Sequence, residues 1–90
     1  MPKQFTKDDW EQLDYVFDWT DWLEDGDYIV SSEVVVPEGL TWISTESGSD
    51  EVVVWLSGGE EGKQYEVDCK ITTASVPPRK AKKTILLQIN

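Results

Sequence analysis

The sequence predicts an all-β domain: an immunoglobulin-like antiparallel β-sandwich of about six to seven strands, with one short helical turn near residues 19–24. Three observations carry this. Apolar and polar residues alternate in six short runs, the two-residue period of a half-buried strand. Breaks rich in Gly, Pro and Ser separate the runs at regular spacing. Ninety residues with 39% apolar and 11% aromatic content make one domain and are too apolar for a disordered chain.

Taken in order, residues 1–10 read as an N-terminal arm with few apolar anchors, ahead of a single domain over 11–90. Thr6 to Leu13 offers a weak helical pattern, with Trp10 and Leu13 three apart. Leu13, Tyr15, Phe17 and Trp19 then alternate with Asp14, Val16 and Asp18, the first strand. Asp18 can cap a helical turn that Gly26 stops, placing Trp19, Trp22 and Leu23 on one face. Val30, Ser32, Val34 and Val36 form the next run, ended by Pro37, which cannot donate to a ladder. Pro37-Glu38-Gly39 is a turn, and residues 40–46 are a weaker strand. Val52, Val54 and Leu56 alternate with Val53 and Trp55, apolar on both faces and therefore central or covered. Residues 65–73 alternate without exception: Tyr65, Val67, Cys69, Ile71 and Thr73 on one side, Glu66, Asp68, Lys70 and Thr72 on the other. Ile85, Leu87 and Ile89 repeat the pattern near the C-terminus. The Cys…Trp…Cys framework of antibody domains is missing, so the likeness is one of architecture.

Charge is segregated. Residues 1–27 carry nine acids and two lysines, residues 28–68 nine acids and one lysine, and residues 69–90 five bases and no acid, giving −7, −8 and +5 and a net −10. Such polarity bears on docking and association rate more than on fold. It argues against a nucleic-acid binder that neutralises phosphates. No apolar run nears the ~20 residues of a membrane helix, and the N-terminus has no apolar core of a signal peptide. One Cys and no His exclude an internal disulfide and the usual zinc and thiol-catalysis sets. No nucleophile elbow or phosphate-cradling loop is present, so the expectation is no enzyme, no cofactor, no nucleic acid and no membrane. Asp21, Asp25, Gly26 and Asp27 fit positions one, five, six and seven of an EF-hand loop, but Leu23 and Ser32 occupy positions three and twelve. That motif fails, leaving an irregular acidic loop over Asp21, Glu24, Asp25 and Asp27.

Five tryptophans exceed what so small a core easily hides. Trp19 and Trp42 are expected in the core, Trp55 at a protein contact on the second face of its strand, and Trp10 at an interface on the arm. A sugar-binding platform of exposed Trp is the competing reading. Residues 74–83 join two strands, stiffened by Pro77-Pro78, and carry Arg79, Lys80, Lys82 and Lys83. They suit docking into an acidic surface, on another protein or on a neighbouring copy, unless they fold against this chain's own acids.

The run Leu13-Asp14-Tyr15-Val16-Phe17-Asp18-Trp19-Thr20-Asp21-Trp22-Leu23, with Asp27-Tyr28-Ile29, Val36-Pro37-Glu38-Gly39-Leu40, Val54-Trp55-Leu56-Ser57-Gly58-Gly59 and residues 65–73 in order, resembles the phage fiber–tail adaptor proteins of tailed phages. The resemblance covers roughly residues 11–90. It implies an immunoglobulin-like sandwich built into a virion in multiple copies, in a symmetric assembly. Its place would be the phage tail or neck, after synthesis in the host cytoplasm, with other virion proteins (tail, neck or fiber) as partners. It carries over no catalytic residue. A carbohydrate-binding or adhesin-type sandwich touching the host surface is the alternative.

Overall fold

The most regular alternations become the central strands of two packed sheets. A computed structural model, which describes residues 3–90, contains seven strands. They are β1 (Lys3–Lys7), β2 (Leu13–Asp18), β3 (Ile29–Val35), β4 (Leu40–Ser47), β5 (Glu51–Gly58), β6 (Gln64–Thr73) and β7 (Lys80–Ile89). One sheet has the order β1-β7-β6-β3 and the other β2-β5-β4. Strands two to seven thus follow the B-E-D and G-F-C arrangement of an immunoglobulin domain. The inner faces interdigitate: Tyr15, Phe17, Val52, Val54 and Leu56 from one sheet meet Val67, Cys69, Ile71, Ile85, Leu87 and Ile89 from the other. The tyrosine corner of such domains is present without its cysteine. Tyr65, at the start of β6, accepts the Glu60 N–H at 3.1 Å, and Val67 stands two residues on. Gly39, at φ +107°, lies so close that an added Cβ would sit 2.8 Å from the Tyr65 ring.

The all-β sandwich is therefore as expected, with five instructive differences. Of the segment read as an arm, residues 3–7 are β1, paired in parallel with β7 from Lys3↔Ile85 to Lys7↔Ile89. Residues 1–2 lie outside the described residues. β1 docks because Phe5 meets the Tyr15 ring edge-on at 5.3 Å and Lys7 is buried. It is also the one parallel pairing among the described residues, in a sandwich expected to be antiparallel. Second, Trp22 and Leu23 N–H both bond the Trp19 carbonyl at 3.0 Å, and the Asp18 carboxylate accepts the Thr20 N–H at 2.9 Å. This is a single capped turn, and no helix forms among the described residues. Third, an irregularity between Ile29 and Ser31 resets the parity of β3, so Ile29 faces the core and Val30 faces solvent.

Fourth, Trp42 is a correction. It was expected in the core and is 53% exposed, its indole N–H donating to Thr45 Oγ1 at 2.8 Å. β4 is an edge strand with a bulge between Trp42 and Ser44, so no second strand covers the ring. Fifth, β7 begins at Lys80, five residues before its apolar alternation. The connection is therefore residues 74–79, and Lys80, Lys82 and Lys83 belong to a strand.

Candidate functional site

The sandwich has two ends. Residues 19–28, 48–50 and 74–79 gather at the first; residues 8–12, 36–39 and 59–63 gather at the second. Ten extended residues in β6 and β7 separate them by about 30 Å.

At the first end the sequence's cations and aromatic rings are used on one another. Trp19, 1% exposed, meets Trp22 edge-on at 5.4 Å and 74°. The Arg79 guanidinium lies 4.2 Å from the Trp22 ring centroid and 3.6 Å from the Glu24 carboxylate. The Lys83 ammonium donates to the Asp18 carbonyl and sits 4.7 Å from the centre of the Trp19 ring. Two of the four predicted interface bases are thus engaged within the chain, each by a cation–π contact. Asp27 ties the two long connections together: its Oδ1 accepts the Tyr28 N–H at 2.9 Å and the Ser75 N–H at 3.2 Å. Burial alone would raise its carboxyl. Those two N–H groups, with the Thr73 and Ser75 hydroxyls, outweigh it and hold the carboxyl below its ordinary value. Asp27 is thereby committed to the fold, and among the described residues no group of three or more acids, Cys or His is placed to hold a metal.

At the second end a tryptophan is left open. Residues 8–11 form a tight turn in which the Glu11 N–H bonds the Asp8 carbonyl at 3.1 Å and the Asp8 N–H bonds the Glu11 carboxylate at 2.9 Å. The turn carries Trp10 at 92% exposure. Beneath it the Lys7 ammonium, 1% exposed, donates to the carbonyls of Asp8 and Gly58, both at 2.7 Å. Burial lowers the Lys7 pKa, against the pull of Glu11, Asp9 and Asp8. Sequence reasoning missed Lys7, because nothing local distinguishes a lysine that closes a sandwich from one in solvent.

The remaining predicted residues lie on the outer faces. Trp55 is half-buried on the outside of the three-stranded sheet, between Asp14 on β2 and Ser44 on β4. Lys80 and Lys82 are exposed on the outside of the other sheet, where Lys82 stands directly across from Lys70 of β6. Lys70 was not singled out by sequence; only the β6–β7 register makes it a neighbour. Trp10, Trp55 and the Lys80–Lys82 pair therefore occupy an end and two opposite faces, and do not form one site. Cys69 is buried, and burial pushes its thiol up to about 11, against smaller opposing effects of the Trp19 indole and Lys83. Exposed rings and unneutralised charge are what this surface offers, which is the chemistry of protein contacts.

Comparison with known families agrees with that chemistry. The family of the podophage GP4 fiber-tail adaptor protein gp77 matches residues 7–88 of the chain. No curated protein matches it.

Proposed function

Because the chain belongs to the podophage fiber-tail adaptor family, we propose that it is a non-enzymatic structural protein of the virion that links fibers to the tail or neck through protein–protein contacts. The observation that carries this is the family match over nearly the whole chain, residues 7–88. In this reading the chain is made in the host cytoplasm, is built into the virion in several symmetric copies, and touches neither nucleic acid nor membrane.

An adaptor needs two separate contact regions, and the molecule offers them. Trp10, bare on a hydrogen-bonded turn at the second end, is the anchor for one partner: a rigid aromatic side chain that can be fully desolvated is the usual energetic centre of an interface. The outward Lys80 and Lys82 supply a second region, for an acidic protein surface, and Trp55 a contact on the opposite face, while Arg79 and Lys83 shape the first end from within. The sugar-platform alternative gains nothing from the Trp19–Trp22 pair, in which Trp19 is buried and the rings meet at 74°.

The test is reconstitution with the separately purified fiber and tail proteins of the same phage. The chain should bind each one and bridge the two in a single complex. Trp10→Ala should weaken binding to one partner by about tenfold or more and leave the other unaffected. A chain that binds neither protein refutes the adaptor reading.

A further inference from the structure

Three connections meet at the second end, and hydrogen bonds hold them side by side. Lys7, just before the Trp10 turn, donates to the Gly58 carbonyl at 2.7 Å, and the Gly59 N–H donates to the Gly39 carbonyl at 3.1 Å. Together they bring Asp8, Asp9, Glu11, Glu38, Glu60 and Glu61 to one end, all exposed except the half-buried Glu11. Two lysines answer them. Lys63 is paired with Glu60 at 2.9 Å, and the buried Lys7 commits its ammonium to the carbonyls of Asp8 and Gly58. Six acids against two lysines leave the end at −4.

Trp10 therefore differs from the rings of the first end in what reaches its face. Trp22 and Trp19 receive Arg79 and Lys83 of their own chain, at 4.2 and 4.7 Å. An indole face draws a cation, and carboxylates beside it strengthen the attraction. At the second end the chain supplies the ring, 92% exposed, and the carboxylates, while its nearby ammonium groups are engaged elsewhere. The cation is the missing member.

We propose that the second end binds a basic protein surface, which sets a lysine or arginine against the Trp10 ring inside a rim of Asp8, Asp9, Glu38 and Glu61. Glu11 and Glu60 serve the fold instead, Glu11 accepting the Asp8 N–H at 2.9 Å and Glu60 pairing with Lys63. A purely apolar pocket closing over Trp10 would strip water from the flanking carboxylates and give them no counter-charge, which is costly. A basic surface satisfies ring and carboxylates together. The same carboxylates repel nucleic acid and anionic lipid. This deepens the adaptor reading and rests on it. With Lys80 and Lys82 set for an acidic surface, the two regions ask for partners of opposite charge, which keeps fiber and tail from exchanging places.

The test is to measure association and dissociation rates of the full chain with the separately purified fiber and tail proteins, at low salt and at ~0.5 M. The partner whose binding Trp10→Ala weakens should associate about tenfold or more slowly at the higher salt. Asp8→Asn/Asp9→Asn/Glu38→Gln/Glu61→Gln should slow its association about tenfold at low salt, flatten that salt dependence and change dissociation less. Trp10→Ala should act mainly on dissociation. Neither variant should weaken the other partner. The substituted side chains are exposed, and circular dichroism should show that both variants keep the β-fold. If the four-acid variant associates as fast as wild type or faster, or if Trp10→Ala weakens neither partner, the basic contact is overturned and the adaptor reading stands. Wild-type chain that binds neither protein overturns the adaptor reading, and the inference with it.

Discussion

The two ends of the sandwich use the same residue types in opposite ways. At the first end Trp19 and Trp22 are packed against each other and capped by Lys83 and Arg79. At the second a lysine is buried as a structural pin and a tryptophan is left bare. A tryptophan beside cations is thus a folding device at one end, and a tryptophan beside acids is left exposed at the other, where the proposed function makes it a docking anchor. Position in the sandwich sets the difference. Trp19 continues the inward parity of β2 past its last residue, whereas Trp10 sits in a connection that crosses between sheets, where no strand face exists to bury it.

The largest expected effect separates the two rings. Trp19→Ala should cost about 3–5 kcal/mol in urea unfolding, the range for a fully buried large aromatic. Trp10→Ala should stay within about 0.5 kcal/mol of wild type. Equal losses would erase the contrast between the ends.

Alkaline pH should expose the buried groups in between. Tyr15 is pushed up to about 12 by burial, with help from Glu11 and Asp14, and Cys69 up to about 11 by burial. In both cases the folded state keeps a proton that the unfolded state has lost. The stabilisation is complete below the unfolded values and is lost as pH rises from about 9 to 11 for Cys69 and from about 10 to 12 for Tyr15. Each two-unit shift corresponds to at most about 2–3 kcal/mol. Lys7 acts with the opposite sign: its lowered pKa makes the unfolded state bind the proton more tightly, so this site gains stability as pH rises toward 10.5. Stability measured against pH should fall above about 9. Cys69→Ala should remove the first part of the fall for a neutral-pH loss of about 1 kcal/mol. Rapid labelling of native Cys69 by a thiol reagent would contradict its burial.

Lys7→Met keeps the apolar stem and removes the two hydrogen bonds, leaving the Gly58 carbonyl without its ammonium. The expected loss is about 1–3 kcal/mol. Hydrogen exchange should concentrate it in β1 and the end of β5. Uniform loosening of the whole chain would mean that Lys7 does not pin the second end.

The smallest effect divides the four bases. Arg79→Ser/Lys83→Ser should cost roughly 0.5–2 kcal/mol through the two cation–π contacts. Lys80→Ser/Lys82→Ser should leave stability unchanged or slightly raised, since a like-charge neighbour of Lys70 is removed. A larger loss from the second pair would place those lysines in the fold after all.

What the sequence determined by itself was the pattern of faces. In residues 13–19, 52–56 and 65–73, strict alternation separates core from surface, because a strand's side chains have a period of two whatever it pairs with. Breaks at Pro37-Glu38-Gly39 and Ser57-Gly58-Gly59 were equally legible, since turn chemistry is local. What only the tertiary structure decided were the features that depend on a neighbour. A bulge turned Val30 outward, and the edge position of β4 uncovered Trp42. Docking against β7 made a strand of residues 3–7, and its parallel pairing placed Lys7 over Gly58. The β6–β7 register set Lys82 across from Lys70, while Arg79 and Lys83 were drawn to Trp22 and Trp19. Alternation says which side of a strand is greasy. Whether a ring or a cation on that strand is covered, paired or left for a partner is fixed by what lies across the sheet and across the sandwich, and those contacts join residues far apart in sequence.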